Sequence, residues 1–172
     1  MTPSLKNILN GHLQKDPIVS LLTENPAVFD EAVHLALQSD KRIAWRAAWV
    51  LFHAMEDYDL RLQPHLAVFV SALRGKRDGH QRELLKIIER LKPDDDLEGE
   101  LFDICMSIWE NQGKSPSARI TSFRIMYSIA KKYPELLQEL NYLLKEHYTE
   151  SLSPGIRNSL KKMLEGSGSA ER

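Results

Sequence analysis

Ser115-Pro116-Ser117-Ala118-Arg119 and Ser153-Pro154-Gly155-Ile156-Arg157 open two segments of the chain in the same way. In each, a hydroxyl residue able to accept a hydrogen bond from the first helical turn precedes a proline. The fixed φ of proline suits the first helical position, and its missing N–H costs nothing there. Working outward, Gln81-Arg82-Glu83 and Trp45-Arg46-Ala47 carry arginine at the corresponding place, so that Arg46, Arg82, Arg119 and Arg157 stand 36, 37 and 38 residues apart. Asp78 precedes Arg82 by the same four positions that separate Ser115 from Arg119 and Ser153 from Arg157. Arg46 fits the period without a cap at that offset. A period in the high thirties, with room for two helices in each unit, is the signature of a helical repeat array.

The stretches between these starts are amphipathic helices. Apolar residues recur at three- and four-residue spacing: Phe29, Ala32, Val33 and Ala36, then Leu66, Phe69, Val70 and Leu73, then Leu101, Ile104, Cys105 and Ile108. The later groups are Ile120, Phe123, Met126 and Ala130, then Leu136, Leu140, Leu143 and Leu144, then Ile156, Leu160, Met163 and Leu164. No segment alternates with period two. Asp16-Pro17 and Asn25-Pro26 add two further cap-and-proline starts, Gly75, Gly113 and Gly166 suit helix stops, and Pro134 closes the helix before it. About nine or ten helices are predicted. Lys41 to Met55 differs, with one stripe of Ile43, Ala47, Val50 and Ala54 and a second of Trp45, Trp49 and Phe52, as expected of an inner helix packed on two sides.

The fold class that follows is all-α, an α-α superhelix: a right-handed solenoid of about four helical hairpins. It is expected to form one domain over residues 1–165, followed by a disordered tail at 166–172 that contains Gly-Ser-Gly-Ser. The chain has 172 residues, 42% hydrophobic and 27% charged, with a formal net charge of -1. That balance excludes a strongly basic protein driven onto nucleic acid or an anionic membrane by overall charge. Cys105 is the only cysteine, so an intrachain disulfide and a thiolate metal cluster are both excluded, and a cytoplasmic setting is the expectation. Met1 to Leu22 lacks the apolar stretch of a secretion signal, and no apolar run approaches the roughly 20 residues of a membrane span.

On the strings Ser115, Ala118 and Arg119, and Ser153, Ile156 and Arg157, the sequence resembles the HEAT-type repeat proteins. Asp78 and Arg82 follow the same pattern with Gln81 in the apolar slot. Ala44-Trp45-Arg46-Ala47-Ala48-Trp49 and Tyr133-Pro134-Glu135-Leu136 are similar to a group of small stand-alone bacterial HEAT-like proteins of unassigned function. The resemblance covers roughly residues 15 to 165. It implies units of helix A, turn and helix B, with the B helices lining a concave side.

No arrangement of residues demands a particular chemistry. The histidines His12, His34, His53, His65, His80 and His147 include no pair at metal-binding helical spacing, so neither metal nor cofactor is expected. Gly113-Lys114-Ser115 imitates the end of a phosphate loop but follows a helix and lacks the first glycine, and Asp94-Asp95-Asp96 suits a helix start better than a calcium loop. Catalytic residues are therefore not assigned.

Charge is distributed by helix type. Lys114 to Lys132 holds five basic residues and no acid, and Ser151 to Leu164 holds Arg157, Lys161 and Lys162 and no acid. Pro93 to Gly113 carries seven acids and no base. The B helices are basic and the A helices acidic, which points to an acidic protein or peptide partner held on a relatively basic concave face. The candidate contacts are Arg42, Arg46, Arg82, Lys86, Arg119, Arg124, Arg157 and Lys161. The competing use of the recurring arginines is to join neighbouring repeats, and the expected fate of Trp45, Trp49 and Phe52 is core packing. Two alternatives stand beside the protein-binding reading. One is nucleic-acid binding, possibly related to HEAT-like DNA glycosylases, for which Glu83, Asp78 and Asp40 are the available acids. The other is a structural assembly subunit.

Overall fold

Eleven helices and one 3₁₀ turn make up a computed structural model that describes residues 3–39 and 41–168, and no strand occurs among them. Contacts within the chain divide it into two compact units, residues 1–97 and 98–172.

The first unit contains α1 (Leu5–Asn10), α2 (Lys15–Glu24), α3 (Pro26–Ala36), α4 (Lys41–Ala54), a 3₁₀ turn (Gln63–His65), α5 (Leu66–Ala72) and α6 (Asp78–Leu91). At its centre is α4, which packs against α1, α2, α3 and α6. Its aliphatic stripe is the reason: Ile43, Ala47, Val50 and Leu51 are buried, and the alanines let neighbouring backbones approach closely. The aromatic stripe behaves differently. Trp45, Trp49 and Phe52 are half-buried and remain partly at the surface.

The second unit contains α7 (Asp95–Glu110, of which the first turn lies in the first unit), α8 (Pro116–Ala130), α9 (Pro134–Tyr142), α10 (Glu146–Thr149) and α11 (Pro154–Gly168). Its core is built on Trp109, Phe123, Leu101, Cys105 and Met126. Helices α7 and α8 run antiparallel. Glu98, in the first turns of α7, accepts from Lys132 beyond the end of α8 at 2.5 Å, and the Trp109 ring near the other end of α7 lies 4.8 Å from that of Phe123.

Tertiary hydrogen bonds recur at the spacing of the repeat. In the first unit, Arg46 donates to Leu9 O across 37 residues, Lys76 to Gln38 O across 38, and Arg90 to Phe52 O across 38. In the second, Trp109 Nε1 donates to Leu143 O across 34 residues and Gln112 to His147 O across 35. The period read from the arginines is thus the distance from one hairpin to the same level of the next.

Helix starts agree with the sequence at Ser115 and Ser153, whose Oγ atoms accept from Ala118 and Ile156 N–H at 3.3 Å. Elsewhere they differ. Helix α2 begins at Lys15, which puts Pro17 at the third helical position, where the backbone N–H has no intrahelical acceptor to lose. Asn25 does stand at the N-cap of α3 with Pro26 first in the helix, but its side chain donates back to Leu21 O and makes no cap bond; α6 begins at Asp78 itself, with Arg77 before it. Of the three glycines read as stops, Gly75 has the left-handed φ of 76°. Gly113 lies in a turn where its N–H donates to the Asn111 side-chain Oδ1 at 2.9 Å, and α11 continues through Gly166 to Gly168. Residues 169–172 of the expected tail, and Asp40, lie outside the described residues.

Candidate partner-binding surface

In the first unit the half-buried stripe of α4 borders a row of cations on α6. Arg82, Lys86 and Arg90 follow one another at four-residue spacing and so share a face of α6. Lys86 Nζ lies 4.4 Å from the centroid of the Phe52 ring, and Arg90 Cζ lies 5.3 Å from it. Next along α4, the His53 ring meets Trp49 edge-on at 4.7 Å and Phe52 at 5.3 Å. At the other end of the row, a Cβ added to Gly79 would stand 3.3 Å from Trp45 Nε1, so the absence of a side chain there lets the indole lie against α6.

Glu83 anchors this row. It is 1% exposed; its Oε1 accepts from Arg82 Nη2 at 3.1 Å and its Oε2 lies 2.7 Å from Lys86 Nζ. The Oε2 pair does not have hydrogen-bond angles, but at 2.7 Å it is a close ion pair and the carboxylate is compensated on both oxygens. Arg82 and Lys86 keep 35% and 25% of their side chains exposed. One buried negative charge therefore orients two positive ones, leaving a surplus of positive charge at the surface. Burial lowers the pKa of His53, the charges of Lys15, Lys86 and Arg90 lower it further, and Glu83 opposes them.

The other sequence-derived candidates divide by environment. Arg42 is exposed in the first turn of α4. Arg46 is half-buried, and its Nη1 donates to Leu9 O at 2.6 Å and to Gly11 O at 2.9 Å, closing the C-terminal end of α1. Arg119 is 1% exposed and donates to Trp109 O at 2.9 Å, to Ser151 Oγ at 3.1 Å and to Tyr148 O. Burial lowers its pKa, because its partners are neutral acceptors. These two arginines join elements of their unit. On α8 Arg124 is half-buried, and on α11 Arg157 is half-buried while Lys161 is exposed. Arg90 and Lys15 are not among the candidates read from the sequence, and Glu83 is named there only as an acid for glycosylase-type chemistry. The four-residue spacing from Lys86 was a signal for Arg90.

Among the described residues, no group of three or more His, Cys, Asp or Glu side chains is placed to share a metal ion, and no helix is long and apolar enough to cross a membrane. Of the acids weighed for glycosylase-type chemistry, Glu83 has both oxygens engaged by cations.

Helical hairpins bonded to one another at a fixed period define an α-helical repeat protein. A family model described as HEAT repeat domain matches residues 5–167, and the chain belongs to that family. No curated protein and no solved structure matches it. HEAT repeats are in general protein-interaction modules.

Proposed function

We propose that the chain is a non-catalytic interaction module that holds acidic segments of a protein partner on its B helices, each unit taken by itself: on α4 with α6 in the first, and on α8 and α11 in the second. The observation that carries this reading is the layered arrangement of Phe52, Lys86 and Glu83. A cation held between an aromatic ring and a buried carboxylate is preorganised, and less side-chain entropy is lost when an anionic group binds it. The acids of α7 other than Glu98, namely Asp95, Asp96, Glu100, Asp103 and Glu110, are exposed on an A helix, which matches the charge segregation in the sequence.

Fluorescence anisotropy with a labelled glutamate-rich peptide tests the reading. Binding should weaken as salt rises and fall at least about tenfold when Arg42→Glu and Arg124→Glu are combined, a loss of about 1.4 kcal/mol. An affinity unchanged by both salt and the double reversal removes the basic face from the account.

A second reading, nucleic-acid binding, has one observation in its favour: Trp45 and Trp49 are only half-buried and lie on the same helix as Arg42. A single-stranded oligonucleotide in the same titration decides between the two. Tighter binding of the oligonucleotide, lost in Trp49→Ala, would favour nucleic acid.

A further inference from the structure

The loop between α4 and the 3₁₀ turn holds two apolar side chains out from the first unit. Tyr58 is 53% exposed and Leu60 is 76% exposed. The backbone that carries them is nevertheless tightly fixed. Between them Asp59 is 3% exposed, and its carboxylate accepts from Glu56 N–H at 2.9 Å, from Arg61 N–H at 3.0 Å, and from the Arg61 guanidinium at 2.9 and 2.6 Å. That guanidinium in turn lies 3.8 Å from the centroid of the Phe29 ring. Tyr58 adopts a left-handed φ of 54°, which side chains rarely tolerate, and its N–H donates to Arg90 O at 3.0 Å.

An apolar pair this exposed on a loop this ordered forms a preorganised knob. Its flank is acidic. Glu56 is exposed, and Asp57, although paired with Arg90 at 2.7 Å, keeps 78% of its side chain exposed.

A cavity of complementary character lies in the second unit. It is an open depression of about 400 Å³ lined by Asn141, Leu144, Lys145, Lys161, Leu164 and Glu165. Leu144 and Leu164 supply apolar surface for an aliphatic side chain. The two lysines outnumber the single acid, Glu165, so the lining carries positive charge opposite in sign to Glu56 and Asp57.

We propose that the chain associates with copies of itself head to tail, the Tyr58–Leu60 knob of one copy seated in the 141–165 cavity of the next. Because knob and cavity are different surfaces, the contact is heterologous. Each copy brings one knob and one cavity, so one copy can join to the next. The contact is small and hence weak, so it is sought at high concentration.

Sedimentation velocity on the full chain, from about 10 µM to about 1 mM, is the test. The wild type should show a sedimentation coefficient that climbs steadily with concentration. Leu60→Asp, which removes the knob, and Lys145→Glu, which reverses the cavity's charge, should each stay monomeric. Both positions are exposed, so the thermal melts should match the wild type; Leu60→Ser is a second knob variant should Leu60→Asp perturb the loop. Mixed in equal amounts, the two variants should form a one-to-one complex and stop there, because one retains the cavity and the other the knob. A wild type that remains monomeric throughout overturns the proposal. So does association that survives Leu60→Asp, or a mixture that stays monomeric while the wild type assembles.

Discussion

Arg119 and Arg46 occupy equivalent places in the repeat yet bond to different neighbours along the chain. Arg46 reaches back to the end of α1, whereas Arg119 reaches Trp109 O in the preceding helix and forward to Tyr148 and Ser151. Removing Arg119 takes the donor from Trp109 O in a buried bond and from Tyr148 O and Ser151 Oγ in part-buried ones. Arg119→Ala should therefore cost about 3 kcal/mol or more in urea unfolding, and Arg119→Lys, which cannot make the same fork of bonds, about 1–3 kcal/mol. Arg157→Ala, at a half-buried position, serves as the comparison and should cost less than about 1 kcal/mol.

Two histidines set the response to mild acid. Burial lowers the pKa of His80, although its bond to Ala36 O at 2.7 Å opposes the shift, and Lys76 lowers it further. With His53 lowered as well, the unfolded chain binds more protons than the folded one near and below the ordinary histidine value of 6.5. Stability should therefore fall as pH drops through 6.5, and level off once both folded histidines have also become protonated. Replacing His80 with Asn should flatten this slope in melts between pH 7.5 and 5, taken as about the span of the histidine titration. Asp59 acts lower on the scale. Burial pushes its carboxyl up, but hydrogen bonds from the Arg61 side chain and from the Glu56 and Arg61 N–H groups outweigh that and hold it below 3.8. Its contribution is present above that value and lost only in stronger acid.

At the scale of elements, the seam between α4 and α6 depends on Gly79. A Cβ there would stand 3.3 Å from the Trp45 indole nitrogen, so Gly79→Ala forces a small adjustment and Gly79→Leu a large one. The leucine variant should lose about 1–3 kcal/mol and show altered Trp fluorescence, while alanine should lie much closer to the wild type. Equal effects of the two would mean that the indole moves freely. The seam also shows what the sequence could and could not convey. The period was readable because the same level of successive hairpins is bonded across 34–38 residues, and the Ser-Pro starts were readable because a cap is a local interaction. The direction in which each arginine bonds was not, because it depends on which helix end stands nearby: α1 for Arg46, α7 and α10 for Arg119. Asn25 and Asp78 look like side-chain caps in isolation, but Asn25 donates to Leu21 O at the end of α2 and Asp78 is itself the first residue of α6. The knob at Tyr58 and Leu60 was equally hidden, since its order comes from Arg90 and Phe29, 32 and 29 residues away from Tyr58.

For the molecule as a whole, charge follows helix order. In the first unit, Lys86 and Arg90 of α6 lie over Phe52 of the half-buried aromatic stripe, and buried Glu83 orients Arg82 and Lys86. In the second, α8 has no acid and α7 has no base. Half of the candidate site was legible as composition by helix; which arginines are consumed in joining hairpins was not, because burial decides it. The most direct measurement is an NMR titration of the isotopically labelled chain with a glutamate-rich peptide. Amide and side-chain shifts should concentrate on α4 around Arg42 and Phe52, on α6 from Arg82 to Arg90, and on the exposed residues of α8 and α11, with α7 and α9 unmoved. Shifts that fall instead on the acidic helices α7 and α9, or none at saturating peptide, would contradict the assignment of the basic B-helix faces as the binding surface.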